Sequence, residues 1–267
     1  MEKYQILLTN DDGIQSPGLW AAAEALSTLG YVTVAAPRFQ SSGMGRSMPS
    51  SSDGIISKEQ VQVGGKEWTV YAVGGSPAQA VQHGLLEIMP ETPHLVVSGI
   101  NYGENVATGI TISGTVGAAL EAASMNIPAL AISLQTATNL HLTYSTEVDF
   151  SNAAFFTTYF ARLLLKKNFP LDVDLLKVDV PAQADSQTPW QLTRIARQRY
   201  YDPDPPDRVS WDQPARVRYH ENMIVDVQEE NSDVYVLRTK GLVSVTPVSL
   251  DMTSRVDFSA LDELMRL

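Results

Sequence analysis

The stretch Tyr4-Gln5-Ile6-Leu7-Leu8-Thr9-Asn10-Asp11-Asp12-Gly13 is a short apolar run that ends abruptly in polar turn residues. Pro17 follows where a helix would begin, residues 19–29 read as that helix, and Gly30 closes it just past the C-cap. Residues 31–36 form a second apolar run, stopped by Pro37. Strand, helix and strand in so short a span make a βαβ unit, whose two strands run parallel. Neither run alternates, as expected of a sheet covered by helices on both faces.

Outward from this unit the alternation of elements continues. Residues 41–52 are a Ser/Gly-rich loop, and the alternating runs 55–63 and 67–73 are separated by Gly64-Gly65, a hairpin signal. Ser76 reads as the N-cap of a helix through Ile88, and 95–97 as a strand ending in the polar stretch 98–105. A small-residue helix over 114–123, a strand over 129–134, an amphipathic helix over 150–167 and a strand over 175–180 extend the pattern. It stops near residue 181. Beyond it we expect a Pro- and Asp-rich loop over 202–207, short strands around 217–227 and 234–248, and a tail helix over 259–267. The expected fold is α/β, a doubly wound, Rossmann-like, mostly parallel sheet with a β-rich C-terminal extension. We expect residues 1–181 to form the α/β core, the part that would carry catalysis, with its inserted hairpin at 55–73, and 182–267 to form an oligomerisation extension that is not an independent domain.

Composition narrows the chemistry. The 267 residues are 44% hydrophobic and 18% charged, an ordinary globular mixture. A net charge of -11 argues against a nucleic-acid polymer or an anionic membrane as partner, since such affinity comes from Lys and Arg. With no cysteine, disulfides, thiolate metal sites, iron–sulfur clusters and cysteine nucleophiles are excluded. Met1-Glu2-Lys3-Tyr4 shows no apolar signal core and no apolar run reaches membrane-spanning length, so a cytoplasmic protein is expected.

Ligands of open parallel sheets bind beyond the carboxyl ends of the strands. Polar segments arrive there at 10–13, 41–45, 74–76 and 98–105, the last continuing into Ser113-Gly114-Thr115. Asp11 and Asp12 are read in two ways: as the corner of an Asx-type turn, or as carboxylates that Gly13 lets curl toward one cation. Ser42 and Asn101 are either turn residues or hard oxygen donors suited to Mg²⁺ or Mn²⁺. Ser113-Gly114-Thr115-Val116-Gly117 opens a helix, and its bare N–H groups make either an anion site or a capped end with glycine for close packing. Arg46 is the only positive charge in the loop 41–49, and we expect it to touch substrate. No GxxxxGK[ST], no GxGxxG after the first strand and no GxSxG occurs. His83, His94, His141 and His220 stand apart without metal-ligand spacing and read as structural or surface residues.

These residues carry a resemblance. Leu7-Leu8-Thr9-Asn10-Asp11-Asp12-Gly13 with Pro17-Gly18 resembles the opening motif of the SurE survival-protein family of nucleotidases. Ala36-Pro37 with Ser42-Gly43 is similar to its second motif, and Val97 to Asn101 with Gly103, Asn105 and 113–119 to its longest one. Residues 243–247 and Asp251-Met252-Thr253 resemble its C-terminal signature. The resemblance implies that Asp11, Asp12, Ser42 and Asn101 hold one divalent metal ion per subunit, Mg²⁺ or Mn²⁺, and that Asn105, Ser113, Gly114 and Thr115 hold phosphate. It implies 5′/3′-nucleotidase activity with acceptance of other phosphomonoesters and polyphosphate, and homodimers or homotetramers built through protruding β arms. Three segments depart from the family pattern. Gly74-Gly75-Ser76-Pro77 stands for Asp-Gly-Thr-Pro, Ile112 for Tyr, and Lys177-Val178-Asp179 for Asn-Val-Asn.

The function so implied is a metal-dependent phosphomonoesterase that hydrolyses nucleoside monophosphates, with water activated at the metal and Asp11 or Asp12 taking its proton. The alternatives are a non-catalytic phosphate or nucleotide sensor on the same scaffold, or a phosphatase preferring polyphosphate or other phosphomonoesters.

Overall fold

A computed structural model of the chain describes residues 3–222 and 229–266. Its first three elements are the expected βαβ unit: β1 (Tyr4–Thr9), α1 (Pro17–Leu26) and β2 (Gly30–Pro37), with β1 and β2 paired in parallel. Pro17 occupies the first turn of α1, where its missing N–H costs nothing. The hairpin follows as β3 (Ile56–Val63) and β4 (Lys66–Val73), antiparallel to each other, with β4 parallel to β2. Helix α2 (Pro77–His83) starts in a capping box of Ser76 and Gln79 and passes into a π-type turn over Gly84–Ile88.

Strand β5 (Leu95–Tyr102), helix α3 (Gly114–Ser124), strand β6 (Ala129–Leu134), helix α4 (Ser151–Lys166) and strand β7 (Leu175–Val180) complete the alternation. β5 does not end near Val97 but continues to Tyr102, held by β6 through a register shift between Ser98 and Asn101. After β7 come β8 (Trp190–Leu192), β9 (Tyr201–Asp204), β10 (Arg218–Glu221), β11 (Val243–Val248) and the tail helix α5 (Phe258–Met265).

Among the described residues the main sheet runs β3-β4-β2-β1-β5-β6-β7-β11-β8, and β9 and β10 form a separate antiparallel pair. β11 lies antiparallel beside β7, so the extension widens the main sheet. One apolar core packs α1 and α4 on one face of the sheet, through Leu19, Leu26, Phe156 and Phe160. A second packs α2 and α3 on the other, through Ala80, Val81, Val116 and Ala119. No helix among the described residues is long and apolar enough to cross a membrane.

One expected strand is corrected. Residues 234–237 belong to a helical turn over Tyr235–Thr239, and β11 begins only at Val243. The cause is local capping that outcompetes the β-branched run: Ser232 Oγ accepts from Tyr235 N–H at 3.2 Å and Asp233 Oδ1 from Val234 N–H at 2.9 Å. The expected strand over 217–227 is seen as β10, and its portion 223–227 lies outside the described residues.

Candidate active site

At the end of β1 the Asx-type corner is made by Asn10, whose side chain donates to Gly13 O and accepts from Gly13 N–H, both at 3.1 Å. That frees the two aspartates for other work. Both are buried, Asp12 completely. Asp11 Oδ1 accepts from the Thr115 hydroxyl at 2.6 Å. Asp12 Oδ2 accepts from Tyr102 N–H at 3.2 Å, and its Oδ1 from Gln40 Nε2 at 3.4 Å. No basic side chain pairs with either among the described residues. Burial raises the Asp11 carboxyl above its usual range, against the Thr115 hydroxyl and the backbone amides of Thr115 and Gly114. Burial and then the charge of Asp11 lift Asp12 well above that range.

Asn101 sits on the extended end of β5, one residue before the amide that holds Asp12. Its Nδ2 donates to Tyr102 O at 3.1 Å and Gly103 O at 2.7 Å, which fixes the amide and commits its nitrogen. The Oδ1 is thereby left as an oxygen donor. Ser42 is exposed, on a loop tied down where Ser41 N–H donates to Asp11 O at 2.7 Å and Gly45 N–H to Ile112 O at 2.9 Å. The loop crosses α3 so closely that a Cβ on Gly117 would lie 2.2 Å from Gly45 O. Among the described residues no three His, Cys, Asp or Glu side chains gather as metal ligands. A cation here would draw on two carboxylates, an amide oxygen and a hydroxyl, an all-oxygen set that suits Mg²⁺ or Mn²⁺.

The first turn of α3 meets a carboxylate of the chain itself. Ser113 Oγ caps α3 by accepting from Val116 N–H at 3.1 Å, while the amides of Gly114 and Thr115 stabilise Asp11. A Cβ on Gly114 would meet Asp11 Cβ at 2.6 Å and its Oδ2 at 2.8 Å, so only glycine lets the carboxylate dock there. Asn105 donates its backbone N–H to Asp179 Oδ1 at 2.7 Å and its Nδ2 to Ser133 Oγ at 2.8 Å. Asp179 in turn takes the buried Lys177 at 2.5 Å, and Lys177 also reaches Asp233 at 3.2 Å.

A cavity of about 580 Å³ opens over this end of the sheet, within the size range of small-molecule sites. Asp11, Ser42, Asn105 and Ser113 reach its wall; Asp12, Asn101, Gly114 and Thr115 do not. Arg46 is not brought to the cavity. Its Nε donates to Glu121 Oε2 and its second nitrogen to Ser124 Oγ, each at 2.7 Å, along the side of α3.

Part of the remaining wall is aromatic, and Tyr200, Tyr201 and Tyr219 of that part come from the C-terminal extension. His141 and Tyr219 stack at 27° with centroids 6.2 Å apart, and Tyr201 meets Tyr219 edge-on at 5.3 Å. Glu104 is 2% exposed and accepts the Tyr200 hydroxyl on Oε1 at 2.5 Å, with Arg238 donating to the same tyrosine oxygen. Sequence reasoning gave His141 a structural or surface role and passed over Glu104 and these tyrosines as cavity residues. The one available signal was the pair Tyr200-Tyr201 directly ahead of the Asp- and Pro-rich stretch 202–207.

Residues 6–202 match the family model of the survival protein SurE. The 5′-nucleotidase SurE of Methanosarcina mazei is 40% identical, covering 98% of this chain and 97% of that protein. The protein of the same description from Thermococcus gammatolerans is 41% identical, covering 98% and 96%. The crystal structure of the SurE protein from Aquifex aeolicus superposes with a TM-score of 0.74 at 30% identity, covering 97% of this chain and 99% of that one. The family model, the near-full-length identities and the superposition agree, and the chain belongs to the SurE family.

Proposed function

We propose that this protein is a 5′-nucleotidase, a divalent-metal-dependent phosphomonoesterase that cleaves nucleoside monophosphates to nucleoside and phosphate. The observation that carries the reading is the buried pair Asp11 and Asp12, with Asp11 lining a cavity that His141, Tyr200, Tyr201 and Tyr219 also line. The carboxylates suit a dication and the aromatic part of the wall suits a base, and the relatives' description as 5′-nucleotidases agrees with a nucleotide substrate.

Asp11, Asp12, Asn101 and Ser42 would hold Mg²⁺ or Mn²⁺. When bound, the ion supplies positive charge for the phosphoryl group and lowers the pKa of water. Asp11, the aspartate on the cavity wall, is placed to take the proton as the water oxygen bonds to phosphorus and the ester bond breaks. The proton taken up by Asp11 then passes to the departing nucleoside oxygen, which leaves as an alcohol. Thr115 and the α3 amides hold Asp11 in position, while Ser113 and Asn105 face the phosphoryl oxygens from the cavity wall.

We also infer a homo-oligomer. Among the described residues Val209 and Trp211, between β9 and β10, are 93% and 94% exposed, and α5 has no buried residue. Phosphate release from nucleoside 5′-monophosphates tests the function. Release by wild-type protein, lost in Asp11→Asn, is the expected result. Binding of nucleotide without release by either protein favours the sensor.

A further inference from the structure

Asn105 is held at both of its amide groups by strands β6 and β7. Ser133 on β6 and Asp179 on β7 are paired in register near the carboxyl ends of the two strands, and both are buried. Asp179 Oδ1 accepts the Asn105 main-chain N–H at 2.7 Å, and Ser133 Oγ accepts from Asn105 Nδ2 at 2.8 Å. A side-chain amide nitrogen carries two hydrogens, so Asn105 keeps a second N–H once the serine is satisfied. Asn105 lines the cavity together with Asp11 and Ser113.

The acceptors are themselves fixed. Buried Lys177 reaches Asp179 at 2.5 Å and Asp233 at 3.2 Å, which ties β7 to the C-terminal extension. Asp233 Oδ2 accepts the Ala107 N–H at 3.0 Å, so the two carboxylates take the amides on either side of Val106. Ala107 has a φ of 54°, a left-handed conformation that a residue other than glycine keeps only where its surroundings impose it. A buried charge triad is costly to desolvate and rarely gains stability over apolar packing, so its presence here points to the geometry it imposes.

We propose that Asp179 and Ser133 are positioning residues, which hold Asn105 so that its remaining side-chain N–H meets an oxygen of the phosphoryl group. This rests on the nucleotidase reading, in which Asn105 faces the phosphoryl oxygens, and adds to it the residues through which that contact is made. Lys177 and Asp233 complete the clamp by locking Asp179 and the Ala107 end of the loop. A donor aimed at developing charge acts through its preset orientation, so loosening its supports costs activity although they do not touch substrate.

The test is a pair of double-mutant cycles, read as kcat/KM for AMP and as inhibition by inorganic phosphate. The variants are Asn105→Ala, Asp179→Ala and Ser133→Ala, with Asn105→Ala also combined with each of the other two. Each single variant should lose about tenfold or more in kcat/KM, and phosphate should inhibit each more weakly than wild type. Each double variant should match Asn105→Ala within about threefold, because no side-chain donor remains for the support to position. Asp179→Asn keeps an oxygen acceptor for the Asn105 N–H and should recover most of the activity that Asp179→Ala loses. The Ser133 cycle carries the test if Asp179→Ala does not fold. Double variants about tenfold below Asn105→Ala would overturn the proposal, since the supports would then act independently of Asn105. Wild-type kinetics in both Asp179→Ala and Ser133→Ala would overturn it too, and either result leaves the nucleotidase reading intact. Wild-type protein that releases no phosphate from AMP would remove both.

Discussion

The Thr115 hydroxyl, in the first turn of α3, donates to Asp11 Oδ1 at 2.6 Å, with both residues buried. A helix end that reads from sequence as either an anion site or a capped end thus spends part of its donor capacity on the chain's own carboxylate. Groups that orient a ligating carboxylate are worth about 10–100-fold in metal affinity or activity. Thr115→Val should raise the Mn²⁺ concentration needed for half-maximal activity by about that factor, and Thr115→Ser should restore it. Activation curves for the three proteins check this.

The aspartate pair should strain the metal-free protein. A carboxyl whose folded pKa is raised binds its proton more tightly folded than unfolded, so folded stability falls as pH rises through the folded value. Burial raises both Asp11 and Asp12, so at neutral pH the pair is a net cost. In chelator at pH 7.5, Asp11→Asn should melt higher than wild type, by about 2–4 °C per kcal/mol relieved. Added Mn²⁺ should raise the wild-type Tm, by about 2.7 kcal/mol of stabilisation at a hundred times Kd, and leave the variant unmoved. Differential scanning fluorimetry reads both.

His141 gives a second pH dependence of opposite sign. Burial lowers its imidazole pKa below 6.5, so on acidification the unfolded chain takes up a proton that the folded protein resists. Stability is complete above about 6.5 and is lost as pH falls from there toward the folded value. The ring lies between Thr136 O and the Tyr219 hydroxyl, each at 3.2 Å, so charging it disturbs the cavity wall. His141→Phe should narrow the gap between melting temperatures at pH 7.5 and pH 5.5. Thermal scans at the two pH values measure it.

The exposed arm and tail make an assembly prediction. On α5, Phe258 is 62% exposed, Leu264 72% and Met265 73%, an apolar set that one copy alone does not cover. Light scattering should give a dimer or tetramer at micromolar concentration. Removing residues 251–267 should shift it toward smaller species.

Much of this was legible in the sequence because punctuation marks strand ends. The end of β1 ahead of Asn10, the Gly64-Gly65 hairpin and the start of α3 at Gly114 read as they fold. The illegible parts are those where distant contacts override local signals. Ser98-Gly99 looks like a turn, yet pairing with β6 carries β5 on to Tyr102 and so places Asn101. Val234 and Val236 look like strand, yet Ser232 and Asp233 cap a helical turn. Nothing local foretold that Lys177 would be buried between Asp179 and Asp233, or that Asp179 would hold the Asn105 amide. Arg46 sits near Ser42 in sequence, but its loop turns it toward Glu121.

The most direct measurement is phosphate release from AMP by metal-stripped protein as Mn²⁺ or Mg²⁺ is titrated back. Turnover should be near zero in chelator and rise to a plateau as a single class of sites fills, one per chain. Asp12→Asn, assayed in parallel, should stay near zero at every metal concentration. Undiminished turnover in verified metal-free protein, or full activity in Asp12→Asn, would contradict the assignment of Asp11, Asp12, Ser42 and Asn101 as the metal-dependent catalytic centre.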